Sequence, residues 1–230
     1  MLSYSTIVFD VGGTLVLLNY DAIARLYLDA GATLGIALDF AKARAVIETL
    51  ENEVPLRQQN RPVSLEGDNG RNFWDEFYTE GFRQLGVMGD VSRAVTDLRE
   101  RFQRGEFEAL YADVLPTLTA LHAHGKRLGI LSNFSPNLEN VLRQIGIHGY
   151  FSFCVVSAIV GVEKPDPRIF DLMVRVASTP RSDIVYVGDS IFHDIEGARN
   201  AGIAGILVDR QNQYPEFNGT RVRDLRELVA

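Results

Sequence analysis

One cysteine, Cys154, and three lysines, Lys42, Lys126 and Lys164, are spread through 230 residues. A single thiol cannot close an internal disulfide or build a cysteine-rich zinc site, so both are excluded. Three scattered lysines make no polybasic segment for a membrane surface. Positive charge is scarce in general: 23 Lys and Arg stand against 30 Asp and Glu, a net charge of −7. Nucleic-acid binding needs clustered cations, so neither nucleic acid nor membrane is an expected partner. Long apolar runs are missing as well. The longest uncharged apolar stretch, Tyr150 to Val162, has 13 residues, short of the ~18 that span a bilayer. No basic residue precedes Asp10 and no signal-peptide layout is present, so the expected location is cytoplasmic. Internal repeats and low-complexity tracts are absent too.

What is present is a globular composition, 46% hydrophobic and 23% charged. It is enough for one large domain or two small ones with a substantial core. A small-molecule enzyme fits that composition best.

Short β-branched runs at Thr6 to Phe9, Arg127 to Asn133, Phe151 to Ala158, Asp183 to Asp189 and Gly205 to Asp209 read as buried strands. Helical segments are expected near Pro116 to His124, Pro136 to Ile145, Pro167 to Ala177 and Ile191 to Ala201. Strands alternating with such helices predict an α/β fold with a parallel sheet covered on both faces. Between the first two strands, Tyr20 to Arg104 shows helical periodicity and no strand. Helices are expected at Tyr20 to Leu34, Phe40 to Glu51, Asn72 to Leu85 and Val91 to Gln103, with Pro55 to Gly70 loop-like. A parallel crossover needs only a dozen or so residues, so the remainder forms a unit of its own. The expected organisation is a core of residues 1–16 and 105–230, interrupted by a helical cap of residues 17–104.

Ligands of open parallel sheets sit beyond the carboxyl ends of the strands. Asp10, Ser132 with Asn133, and Asp189 with Ser190 all fall there, and Lys164 lies in the loop after the third strand. Each alone could be a turn or a helix cap; together they make a candidate site.

These residues resemble the haloacid dehalogenase-like hydrolases. The matching motifs are Ile7-Val8-Phe9-Asp10-Val11-Gly12-Gly13-Thr14-Leu15, Ile130-Leu131-Ser132-Asn133, Lys164-Pro165, and a fourth running from Val187-Gly188-Asp189-Ser190 through Asp194 to Gly202. The resemblance covers essentially the whole chain, and it implies a Rossmann-like parallel-sheet core with an inserted helical cap. It implies that Asp10 attacks phosphorus to give an aspartyl-phosphate that water then hydrolyses. A phosphate near Asp10 and Asp189 meets repulsion of ~4 kcal/mol per unit-charge pair at 4 Å and an effective dielectric of 20. A hard cation reverses that sign, and Mg²⁺ suits the oxygen donors. By resemblance its ligands are the Asp10 carboxylate, the Gly12 carbonyl and Asp189. Asp194, holding Lys164, and Ser190 support the site from behind those ligands. Ser132, Asn133 and Lys164 bind the phosphate of a small phosphorylated substrate, and Lys164 also neutralises developing charge.

One position departs from the family's commoner pattern. Phosphatases of this type usually carry a second aspartate, the general acid and base, two residues after the nucleophile; this chain has Gly12. The backbone carbonyl survives that change but the proton donor does not, and such a donor is typically worth ~10² to 10⁴-fold. Three readings follow. The chain is a Mg²⁺-dependent phosphatase, slow or restricted to good leaving groups. It performs another reaction of the family, phosphonatase-like through a Schiff base on Lys42 or dehalogenase-like. Or it is a pseudoenzyme that binds a phosphoryl ligand without turnover.

Weaker signals are weighed against plain structural roles. His193 could replace the missing acid, but a loop or first-turn position is the commoner role. The stripe Phe73-Trp74 with Phe77-Tyr78 reads as cap core. Arg57, Arg61 and Arg71 could bind a substrate anion but by default are solvated. Cys154 reads as a small buried hydrophobe.

Overall fold

The computed structural model describes residues 2–58 and 61–229. Among these residues the strands are, in chain order, β1 Thr6–Phe9, β2 Val16–Leu18, β3 Glu108–Leu110, β4 Arg127–Ser132, β5 Phe153–Val156, β6 Ile184–Gly188, β7 Ala204–Val208 and β8 Arg221–Val222. The helices are α1 Tyr20–Thr33, α2 Phe40–Gln58, α3 Gly67–Gln84, α4 Ser92–Gln103, α5 Val114–Ala123, α6 Leu138–Gln144, α7 Ser157–Val160, α8 Pro167–Ala177 and α9 Gly197–Asn200. A π-helical turn, Ile191–Glu196, leads into α9. No described helix is long and apolar enough to cross a membrane.

The chain divides into two compact units, residues 1–17 with 109–230, and residues 18–108. The first is built on a six-stranded sheet in the order β5-β4-β1-β6-β7-β8, with every neighbouring pair parallel. Its central strands are largely apolar because both faces are covered; β1 and β6 are buried throughout. Side chains alternate between the faces. Ile7, Phe9, Ile130, Val185 and Val187 join one cluster, which includes Leu118 of α5 and Leu142 of α6. Val8, Leu131 and Tyr186 join another with Phe170 and Met173 of α8. Each fully buried Leu, Ile or Phe in these layers stabilises the fold by about 1.5–3 kcal/mol.

The second unit is helical and has its own core, in which Ile23, Leu50, Phe82 and Leu98 join α1 to α4. Most of the aromatic stripe belongs to this core: Phe77 and Tyr78 lie in it, Trp74 packs against it, and Tyr78 stacks on Phe102 at 5.4 Å, while Phe73 is buried beside Phe77. The unit ends at Glu108 rather than Arg104, because Phe107 is buried in its core and the Asn19 N–H donates to the Phe107 carbonyl at 2.7 Å.

Several elements differ from expectation. The third strand is cut to Phe153–Val156, since Ser157 to Val160 turn helical and stop at Gly161, whose φ of +72° favours glycine. Most of the stretch from Pro55 to Gly70 is helical: α2 runs through Pro55 to Gln58, a 3₁₀ turn covers Val63–Leu65 and α3 starts at Gly67. A proline in the last turn removes one N–H without having a long run of helix to disrupt beyond it. Strands β2, β3 and β8 have two or three residues each, too few to show alternation.

Candidate active site

Strands β4, β1 and β6 are adjacent and in register, with Phe9 opposite both Ile130 and Val187. The residues that follow their carboxyl ends are therefore neighbours. Asp10 continues β1, its N–H donating to the Val187 carbonyl at 2.9 Å. Ser132 ends β4, and Asp189 follows Gly188 of β6.

The centre of the site is a buried charge cluster. Lys164 Nζ donates to Asp10 Oδ1 at 2.7 Å, to Asp194 Oδ1 at 2.6 Å and to the Tyr186 hydroxyl at 2.9 Å. All three ammonium protons are thereby used. The Tyr186 O–H in turn donates to the Leu131 carbonyl at 2.7 Å. Ser132 Oγ adds a second donor to Asp10 Oδ1, at 3.0 Å. Burial raises the Asp10 carboxyl above its ordinary range, with Lys164 opposing and Asp194 reinforcing that shift. Burial alone would lower the Lys164 ammonium, yet Asp10 and Asp194 hold it above its usual value.

Asp189 is in a different position. Its recorded side-chain hydrogen bond is a long one from Thr14 Oγ1, at 3.4 Å. Burial first, then the charges of Asp10 and Asp194, push its carboxyl well above the ordinary range. Carboxylate oxygens of Asp10, Asp189 and Asp194 lie within 4.8 Å of one another. If all three were ionised, three carboxylates against one ammonium would leave an excess of two negative charges in a largely buried cluster. That excess, with all-oxygen donors, fits one hard divalent cation. The fit is best at Asp10 and Asp189, because both Asp194 oxygens are engaged: Oδ1 by Lys164 and Oδ2 by the Ser190 N–H at 2.9 Å.

Two glycines make this packing possible. A Cβ on Gly13, which has φ of +70°, would lie 2.1 Å from Asp189 Oδ2. A Cβ on Gly188 would lie 2.4 Å from Asp194 Cγ. Gly12 is different: it is exposed, and a Cβ there would meet nothing within 4 Å. The space for an acidic side chain exists, but glycine occupies the position.

The remaining sequence candidates fall into place around this cluster. The Asn133 side chain is spent on the Lys164 backbone, accepting from its N–H at 2.8 Å and donating to its carbonyl at 2.9 Å. Ser190 caps the π-helical turn, its Oγ accepting from the His193 N–H at 3.1 Å. The His193 imidazole rests against the same Oγ at 3.2 Å, and burial together with Lys164 lowers its basicity. Cys154 is partly enclosed beside the core, where burial pushes its thiol up to about 12, the opposite of an activated nucleophile. In the helical unit, Arg57 pairs with Glu53 at 2.6 Å, Arg61 with Glu66, and Arg71 with Asp75 at 3.5 Å. Arg57 and Arg61 line a hollow of about 740 Å³ with Phe73 and Phe77, but these guanidinium charges are already matched by carboxylates. Lys42 is exposed on α2, away from the desolvation that activates a Schiff-base lysine.

Sequence reading missed Tyr186 and Thr14. The available signal for Tyr186 was a lone hydroxyl-bearing side chain in the otherwise aliphatic strand Ile184–Gly188.

A family model for haloacid dehalogenase-like hydrolases matches residues 4–202. The pyrimidine 5'-nucleotidase YjjG of Escherichia coli is 30% identical over 240 residues, covering 100% of this chain and 99% of that protein. The haloacid dehalogenase-like hydrolase domain-containing protein 3 of Danio rerio is 32% identical over 149 residues; the match spans 62% of that protein's length and 64% of this chain. Among solved structures, the L-2-haloacid dehalogenase of Xanthobacter autotrophicus superposes with a TM-score of 0.73 at 20% identity, covering 98% of this chain and 97% of that one, a likeness of fold. The chain belongs to the haloacid dehalogenase-like hydrolases.

Proposed function

We propose that this hydrolase cleaves phosphate monoesters of small metabolites, with Asp10 as nucleophile and Mg²⁺ as cofactor. The observation that carries this reading is the half-buried Asp189 carboxylate, which among the described residues has no ammonium or guanidinium partner while Asp10 shares Lys164 with Asp194. Without a cation that carboxyl is driven toward its neutral form, the direction in which burial and the neighbouring carboxylates push it; a cation would hold it ionised. Relatives named as phosphatases or nucleotidases support the same direction.

In this reading Asp10, Asp189 and the Gly12 carbonyl would hold Mg²⁺, which when bound would screen the phosphate from the carboxylates and polarise it. Ser132 and Lys164 orient the Asp10 carboxylate, and the Lys164 ammonium offsets negative charge on the incoming phosphate. Asp194 and Tyr186 fix the Lys164 ammonium. Asp10 attacks phosphorus, the P–O bond to the alcohol breaks, and an aspartyl-phosphate forms. Water then attacks the same phosphorus, releasing inorganic phosphate and restoring Asp10. Because residue 12 is glycine, the departing alcohol receives no proton from that position, and substrates with good leaving groups, aryl or acyl phosphates, are favoured. Residues 18–108 are the family's inserted cap in this reading.

A panel of aryl, acyl and alkyl phosphates, assayed with and without Mg²⁺, tests the proposal. Mg²⁺-dependent turnover with aryl and acyl esters fastest is expected. Binding without turnover across the panel supports a pseudoenzyme instead, and metal-independent release of halide from a 2-haloacid supports a dehalogenase.

A further inference from the structure

The buried loop that carries Asp10 is anchored by a residue far away in sequence. Arg210 follows β7, and its guanidinium divides between two acceptors: Nη2 donates to the Thr14 carbonyl at 2.7 Å and Nη1 to Asp113 Oδ2 at 2.8 Å. The guanidinium lies 3.7 Å above the Tyr111 ring. Asp113 Oδ2 also accepts from the Leu225 N–H at 2.7 Å, so one carboxylate oxygen ties the start of α5 to the C-terminal turn.

Bond geometry shows which contact steers the arginine. A guanidinium beside a carboxylate ordinarily pairs through two parallel bonds. Here Asp113 Oδ1 and Arg210 Nε are both buried and have no hydrogen-bond partner among the described residues, a costly arrangement. The fork is instead opened so that one arm reaches the Thr14 carbonyl. Thr14 is fully buried, and its hydroxyl is the side-chain donor to Asp189. Neighbouring Gly13 packs so closely on Asp189 that its missing Cβ would overlap the carboxylate. A shift of the 11–15 loop by a fraction of an ångström therefore moves the space in which Asp189 sits.

We infer that Arg210 is a positioning residue: it fixes the Thr14 carbonyl, and through the Gly13–Thr14 loop it sets the orientation of the Asp189 carboxylate toward the cation. Its charge is matched by Asp113 and serves placement of the loop, not phosphate binding. The metal part of this inference rests on the proposed function; the loop part does not.

The test uses Arg210→Met, Arg210→Lys and Thr14→Val in the full chain, with two readouts. In metal-free protein, hydrogen exchange followed by mass spectrometry should accelerate in Arg210→Met at the peptides covering residues 10–16 and 189–190, with the remaining core strands unchanged. In calorimetric titration with Mn²⁺ as probe, Arg210→Met and Thr14→Val should each weaken binding about tenfold or more, the range for residues that orient metal ligands. Arg210→Lys, which can reach one acceptor but not both, should fall between. The double variant Arg210→Met/Thr14→Val should be no weaker than the worse single one, as expected of residues acting in one chain. Unchanged Mn²⁺ affinity in a folded Arg210→Met protein, or exchange accelerated evenly throughout, overturns the inference. If the wild-type chain itself takes no Mn²⁺, the proposed function fails, and the exchange comparison alone decides whether Arg210 holds the loop.

Discussion

Lys164 Nζ stands 2.6 Å from Asp194 Oδ1, and both side chains are almost wholly buried, at 3% and 1% exposure. Asp194 is in turn pinned by the Ser190 N–H and faces the Tyr186 hydroxyl at 3.2 Å. The lysine is thus a component held on several sides, and its ammonium is presented to Asp10 in one orientation.

Asp194→Asn should therefore reduce turnover 10- to 100-fold without directly touching substrate, the usual range for a residue that orients groups in a metal site. Tyr186→Phe removes one acceptor of three and should cost less. Steady-state kinetics beside circular dichroism checks both; full activity in Asp194→Asn would show that Lys164 needs no such support.

Gly12→Asp should be tolerated sterically, because its Cβ enters open space and its φ lies outside the left-handed region. If the absent acid limits proton delivery to the leaving group, alkyl phosphate turnover should rise at least tenfold more than aryl phosphate turnover. An unchanged alkyl-to-aryl ratio would mean that another donor already performs that step.

The helical unit holds a pH-dependent element of its own. Burial, with Glu108 nearby, raises the Glu51 carboxyl to about 8, and burial raises Glu108 to about 7. Tyr27 of α1 and Tyr78 of α3 lie in the same field, with Arg99 of α4 acting on Tyr78. Both acids keep their protons in the folded state where the unfolded chain has already lost them. Their stabilising contribution is whole below about pH 4.5, declines as pH rises, and is gone by about pH 8. Thermal unfolding should accordingly show lower stability at pH 8.5 than at pH 5.5. Glu51→Gln should flatten the profile and stabilise the protein at pH 8 by on the order of 2 kcal/mol. A Glu51→Gln profile parallel to wild type would contradict this.

How much could be read in advance depended on the physical range of each signal. The strand ends carrying Asp10, Ser132 and Asp189 were legible because continuous apolar runs stop at polar residues. Lys164 was legible from its motif. Arg210 was not: its contacts, Thr14 and Asp113, lie 196 and 97 positions away, and an arginine after a strand has no local mark of such partners. Asn133 was identified from its motif; its bonds to the Lys164 backbone were not legible, because they join positions 31 residues apart. The continuation of α2 past Pro55 was hidden because a proline reads as a break wherever it falls.

The most direct test is hydrolysis of an aryl phosphate by wild type and Asp10→Asn, each with Mg²⁺ and with chelator. The account predicts turnover in wild type with Mg²⁺ alone, and at least a thousandfold loss in Asp10→Asn while its fold persists, as for other covalent nucleophiles. Comparable turnover in Asp10→Asn, or in wild type without metal, would contradict it.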